Sequence, residues 1–194
     1  MIIGITGGTG SGKTTLLKLM EQNGVLILDC DAIYHELLRT SPALLAAIEQ
    51  RFPGTVEGGH LQRKKLGEIV FSDETALLDL NKITHSAIHA EILQQLKTAP
   101  AHAAIDAVAL FESGMDQLCD VTVAVTAPED VRLRRLMSRD CISAEYAKKR
   151  IDAQPSADWF REKCSYCLEN NGTQDNFQAK CLAFLQELGI MKAE

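Results

Sequence analysis

The sequence predicts an α/β fold in which a parallel sheet is flanked by helices, and three observations carry that prediction. Four short apolar runs, at residues 2–5, 25–28, 103–110 and 121–125, have the length and composition of strands buried on both faces. Each is followed by polar residues and then a helical pattern, the alternation of a doubly wound sheet whose ligands gather beyond the carboxyl ends of its strands. Residues 7–14 read G-G-T-G-S-G-K-T, which fits G-x-x-x-x-G-K-[ST], between the first run and the helical Thr15-Leu16-Leu17-Lys18-Leu19-Met20. Average residue usage produces such a string by chance in a chain this long about once in a hundred. The class is therefore a P-loop NTPase, its parallel sheet carrying a helical insert and a lid.

The first strand delivers the chain into the glycine string. Glycines let backbone N–H groups curl around phosphate oxygens, and the N-terminus of the following helix adds partial positive charge. The predicted cradle is Gly8, Gly10, Ser11, Gly12, Lys13, Thr14 and Thr15. Lys13 would reach the outer phosphates of a nucleoside triphosphate, and the Thr14 hydroxyl would hold Mg²⁺. The second strand ends at Asp29 and Asp31, beside the loop in a sheet of this order. Phosphorylating a hydroxyl needs a carboxylate to orient the O–H and take its proton, and either aspartate could do so. Asp31 also stands where it would cap a helix beginning at Ala32.

Residues 41–99 break the alternation. They read as helical apart from a turn at Pro53-Gly54 and Gly58-Gly59, and Leu77, Leu78, Leu80, Ile83, Ile88, Ile92 and Leu96 mark one long amphipathic helix. The third and fourth strands return the chain to the sheet, and a helix starts near Pro128. From 132 to 163, nine Lys and Arg face five acids, so this stretch is +4 and the remainder of a chain of net charge −6 is −10. A basic patch in an acidic chain points to a small polyanion as ligand, and a basic cover that excludes water suits phosphoryl transfer. A weaker strand at 165–168 precedes the turn Asn170-Asn171-Gly172 and a helix at 176–188. The expected organisation is a nucleotide-binding core of 1–35 and 101–194, a substrate-binding helical insert of 36–100, and a lid of 132–163 within the core segment.

Composition removes several classes. At 194 residues and 46% hydrophobic the chain can bury one full core with an inserted subdomain. The start lacks a basic region followed by an apolar stretch, and no segment approaches eighteen uninterrupted apolar residues, so a soluble, cytoplasmic protein without membrane partner is expected. The acidic balance argues against nucleic acid as partner, and oligomeric state is left open, a monomer sufficing. GTPases need D-x-x-G and N-K-x-D; the first is absent and the only N-K is Asn81-Lys82-Ile83-Thr84. Cys164-Ser165-Tyr166-Cys167 has no second pair with which to close a zinc site. His85 and His89 are four apart, but Ser86 removes the H-E-x-x-H pattern; His89 is read as a surface residue. What remains is a small-molecule phosphotransferase.

At this level the residues carry a family resemblance. The opening I-G-I-T-G-G-T-G-S-G-K-T-T, the D-C-D-A after the second strand, L-Q-R-x-x-L and V-F in the insert, L-N-K-I-T-H, A-L-F-E-S-G, and then R-D, R-I-x-x-Q and N-N-G occur in an order that resembles the dephospho-CoA kinases, over nearly the whole chain. Members of that family transfer the γ-phosphate of ATP to the ribose 3′-hydroxyl of dephospho-CoA, the last step of coenzyme A synthesis. The resemblance implies ATP and dephospho-CoA as substrates and a nucleotide-kinase-like core with a CoA-binding insert and a lid. It places the catalytic carboxylate at Asp31, Arg139 on the lid side of the nucleotide, and Arg63 and His85 on the acceptor side. The chain departs from the family at Asp106-Ala107-Val108-Ala109-Leu110-Phe111-Glu112, which lacks a usual proline, at Gln62 and Ser165, each in place of a usual Asp, and at Ser86, where the usual H-P is His85-Ser86. Another P-loop kinase acting on a nucleoside or nucleotide shares every feature except the ordered motifs of the insert. A nucleotide-binding regulator without turnover would not need the carboxylate.

Overall fold

A computed structural model describes residues 1–191. Its central sheet has five strands, β1 (Ile2–Thr6), β2 (Leu26–Asp29), β5 (Ala103–Asp106), β6 (Val121–Thr126) and β7 (Tyr166–Glu169), in the order β2-β5-β1-β6-β7. β1 pairs in parallel with both neighbours, Ile2 opposite Ala103 and Ile3 opposite Val121, and β6 pairs in parallel with β7. The sheet's chain therefore diverges on either side of β1, the place where such sheets open a crevice at their carboxyl ends.

Helices α1 (Lys13–Gln22) and α9 (Gln174–Glu187) cover one face. Leu16, Leu19 and Met20 from α1 and Phe177, Cys181, Phe184 and Leu185 from α9 pack with Ile3, Ile5, Ala104, Val123 and Val125 of the sheet. Alternation puts Ile3 and Ile5 on the same side of β1, and both are fully buried, as are Val123, which pairs with Ile5, and Val125 farther along β6. After β6 come α6 (Glu129–Asp140), α7 (Ala144–Asp152) and α8 (Ala157–Lys163). Leu136 of α6 and Ala147 and Ile151 of α7 form a small core of their own, with Leu133 and Ile142 against it.

Contacts divide the chain into two compact units, one of Met1–Leu28 with the described residues from Ala99 onward, the other Asp29–Thr98. Residues 29–35, read from sequence as part of the core segment, pack with the second unit. That unit holds α2 (Cys30–Thr40), α3 (Pro42–Arg51), α4 (Arg63–Val70) and α5 (Glu74–Leu96). Ser41 caps α3 through Leu44 N–H, with Pro42 at the first helical position, and Asp73 caps α5 through the N–H groups of Thr75 and Ala76. Its core is Leu38, Leu44, Leu45, Ile48, Phe52, Leu66, Val70 and Ala76.

Two elements differ from the sequence reading. The run 103–110 is a strand only to Asp106; β1 becomes the glycine loop after Thr6, so past Asp106 no partner strand remains. The chain turns instead, burying Leu110 and Met115 and exposing Val108, and continues as a 3₁₀ turn, Met115–Leu118. The glycine turn at 58–59 joins a two-residue hairpin, β3 (Val56–Glu57) and β4 (His60–Leu61), because φ of 57° and 79° at Gly58 and Gly59 gives the turn whose twist matches paired strands.

Candidate active site

β1 ends at Thr6 and residues 7–12 lead into α1, whose first residue is Lys13. The bend is closed by Ser11 N–H donating to Gly8 O at 3.2 Å and Thr15 N–H donating to Gly12 O at 3.0 Å. Gly12 takes φ 106°, in the left-handed region that favours glycine, and from it the helix starts. The first N–H groups of α1 have no acceptor within the helix and give its N-terminus a partial positive charge. Lys13 folds back so that Nζ donates to Gly7 O at 2.9 Å. Thr14 is exposed and Thr15 half-buried in the same turn. Ser11 is buried, and its Oγ has no hydrogen-bond partner among the described residues. Backbone donors, an ammonium and an orphan hydroxyl around one bend suit a polyphosphate. Among the described residues no cluster of three His, Cys, Asp or Glu could hold a metal. The Thr14 hydroxyl together with phosphate oxygens and water is nonetheless the hard-oxygen set that Mg²⁺ takes.

Four side chains from distant sequence grip the loop. Arg132 Nε donates to Thr9 O at 2.9 Å and its Nη2 to Gln154 Oε1 at 2.7 Å, while Gln154 Oε1 also accepts from Thr9 N–H at 2.8 Å. Arg135 Nη1 donates to the carbonyls of Gly10 and Ser11 at 3.2 and 3.1 Å, and its Nη2 to Asn170 Oδ1 at 3.3 Å. Asn170 Nδ2 donates to Ser11 O at 2.8 Å, and its own N–H to Thr126 O at 2.7 Å. Burial pulls the Arg132 pKa below its ordinary value, with Glu129 opposing. None of these four was singled out as a site residue from sequence. The arginines were visible only as part of a charge count, and Gln154 and Asn170 as the ends of R-I-x-x-Q and N-N-G.

Arg139 lies on the last turn of α6, mostly exposed, and donates from Nε and Nη2 to the two oxygens of Asp140 at 2.7 and 3.1 Å. Arg150 of α7 donates to the same carboxylate at 2.7 Å. These hydrogen bonds, Arg139's first, hold the Asp140 pKa down to about 2.

The remaining predicted residues belong to the helical unit. Asp31 is exposed in the first turn of α2. The cap read for it belongs to Asp29, whose Oδ1 accepts from the N–H groups of Asp31 and Ala32 at 2.9 and 3.0 Å, because the helix begins at Cys30 rather than Ala32. Arg63 opens α4 with Nη2 3.3 Å from His35 Nδ1, and the Tyr34 ring lies beside that of His35. Burial raises the Tyr34 pKa, with the Arg63 charge opposing. His85 is half-buried on α5, and so is His89, which the sequence reading had placed on the surface.

Sheet order, phosphate loop and an all-but-helical unit between β2 and β5 define the class: this is a P-loop kinase. Within that class the chain belongs to the dephospho-CoA kinase family, whose model matches residues 1–176. The dephospho-CoA kinase of Syntrophotalea carbinolica is 35% identical over 195 residues, covering 97% of this chain and 92% of its own. A crystal structure from Thermus thermophilus matches with a TM-score of 0.81 at 33% identity, covering 97% of each chain. The dephospho-CoA kinase from Campylobacter jejuni matches with a TM-score of 0.69 at 28% identity over 98% of each chain.

Proposed function

We propose that this kinase transfers the γ-phosphate of ATP to the ribose 3′-hydroxyl of dephospho-CoA, yielding ADP and coenzyme A. The observation that carries the reading is a phosphate loop of the right geometry in a chain matched by the family over almost its full length. Residues Gly8 to Thr15 would hold the triphosphate, with Lys13 on the transferring group, where fixed charge acts most strongly on the transition state. Thr14 would hold Mg²⁺, which when bound neutralises charge between the phosphates. Asp31 would take the proton of the 3′-hydroxyl as its oxygen bonds to the γ-phosphorus and the bond to the β-γ bridging oxygen breaks. Asp31 is exposed and its carboxylate is not the helix cap, so it is available for that role. Arg63 and His85 in the insert, 36–100, would contact the acceptor, and Arg139 would close over the nucleotide with the lid, 132–163. A cytoplasmic enzyme acting on small molecules alone fits the acidic charge, and no helix of the described residues is long and apolar enough to cross a membrane.

Measuring ADP release with dephospho-CoA, adenosine and common nucleoside monophosphates as acceptors tests this directly. Turnover with dephospho-CoA well above the others is expected. Preference for a nucleoside or nucleotide, or no turnover with any acceptor, would overturn it.

A further inference from the structure

Arg132 and Arg135 sit against the phosphate loop, and among the described residues every hydrogen-bond acceptor they have is a neutral oxygen of Thr9, Gly10, Ser11, Gln154 or Asn170. We propose that Arg132 with Gln154, and Arg135 with Asn170, are positioning residues for ATP that act through the loop backbone, fixing its carbonyls outward so that its N–H groups face the phosphates. This rests on the reading of residues 7–14 as a phosphate loop.

The peptide plane supplies the link. All peptides here are trans, so the C=O of one residue and the N–H of the next point to opposite sides. Holding Thr9 O and Ser11 O on guanidinium and amide donors turns the N–H groups of Gly10 and Gly12 the other way. Those two have no protein acceptor among the described residues, whereas Thr9 N–H is taken by Gln154 and Ser11 N–H by Gly8 O. The clamps thus sort the loop's donors into those closed within the protein and those left for a ligand. They also account for two of its glycines. A Cβ on Gly8 would lie 2.3 Å from Arg132 Nη2, and one on Gly12 would lie 2.3 Å from Asn170 Nδ2. Neither guanidinium is hydrogen-bonded to a carboxylate among the described residues, although Glu129 offsets part of the Arg132 charge, so both still add positive field at the loop.

The test is calorimetric binding of ATP to the full chain, together with KM for each substrate and thermal unfolding, for wild type, Q154A, N170A and R135K. Gln154 and Asn170 carry no charge, so an effect of their loss on ATP cannot be a lost ion pair with phosphate. Each is expected to weaken ATP binding about tenfold or more while KM for dephospho-CoA stays within about twofold, since each deletion frees donors or acceptors that hold the loop. R135K keeps the charge but cannot span two carbonyls and an amide, so it is expected to bind ATP as weakly as N170A. Wild-type affinity in R135K, or in both Q154A and N170A, overturns the proposal. So does a parallel rise of both KM values with lowered thermal stability, which is the mark of a purely structural role. Should N170A not fold, Q154A at its half-buried position decides alone. Failure of the wild type itself to bind ATP would sink the phosphate-loop reading instead, a separate outcome.

Discussion

Lys13 Nζ donates to the carbonyl of Gly7 within the phosphate loop, which keeps its charge beside the loop's backbone donors. Replacing it by Ala removes a charge worth ~3 kcal/mol or more to such a transition state, so turnover should fall at least ~100-fold. Near-normal kcat in that variant would dismiss the proposed role. Asp31→Asn should remain folded, because Asp29 is the cap, and should bind ATP yet lose turnover by ~100-fold or more as a missing base; a fully active variant would move the role to another carboxylate. Asp140 gives a pH prediction. Its pKa is lowered from an ordinary 3.8 to about 2, so its ionised form favours the folded state above pH 4 and that contribution is lost as pH falls towards 2. Denaturant unfolding of wild type and Asp140→Asn should therefore differ above pH 4 and converge near pH 2; a constant gap across that range would count against the pairing. At this scale the sequence revealed what is contiguous. Gly8 to Thr15 could be read because eight neighbouring residues do one job, whereas the grip of Asn170 on Ser11 spans 159 positions and leaves no local pattern.

Among the elements, α6 carries the most constraints. Its first two turns are tied to the loop through Arg132 and Arg135, and Gly10 lies so close that a Cβ there would sit 3.0 Å from Arg132 O. Beyond Leu136 the segment leans on its own small core and on exposed ion pairs. Hydrogen exchange should find α6 protected up to about Leu136 without ligand, and residues beyond it gaining protection only with ATP and dephospho-CoA together; protection that is uniform and insensitive to ligand would argue against a lid. Lys148 bridges Glu129 of α6 and Asp152 of α7, but all three are exposed, so Lys148→Ala should leave the denaturant midpoint almost unchanged. The helix ends on Cys141 at φ 53°, the one left-handed non-glycine among the described residues. Cys141→Gly should stabilise the protein by ~0.5–1 kcal/mol in denaturant unfolding, and a loss would show that the thiol's packing outweighs the strain. Long periodic helices such as α5 were legible from their apolar spacing. The end of β5 was not, because Ala107 to Leu110 continue the same apolar run and only the loss of a neighbouring strand stops the ladder.

The whole molecule joins a discontinuous sheet unit to a helical unit made from one unbroken stretch. The alternation of strands and helices gave the sheet its class, and the break in that alternation marked the insert, but strand order is a property of pairing that no single segment encodes. Ile48 is fully buried in the helical unit's own core, so Ile48→Ala should lower stability by ~2–5 kcal/mol, readable as a shifted denaturant midpoint. The pairing of β1 also sets a timetable. Ile2 meets Ala103 and Ile3 meets Val121, so β1 is synthesised about a hundred residues before either neighbour exists, an interval of about ten seconds at ~10 residues per second. During that time Ile3 and Ile5 have no sheet to enter, while the continuous stretch 29–98 can already gather its local contacts and shorten the closure that β1 awaits. The phosphate loop is thus translated early and finished late, because Gln154 and Asn170 arrive last. A nascent chain halted with residue 100 just emerged should be recognised by chaperones through β1, and one halted with residue 150 just emerged should have lost that recognition yet still fail to retain ATP, because β5 and β6 have then arrived while Gln154 and Asn170 have not.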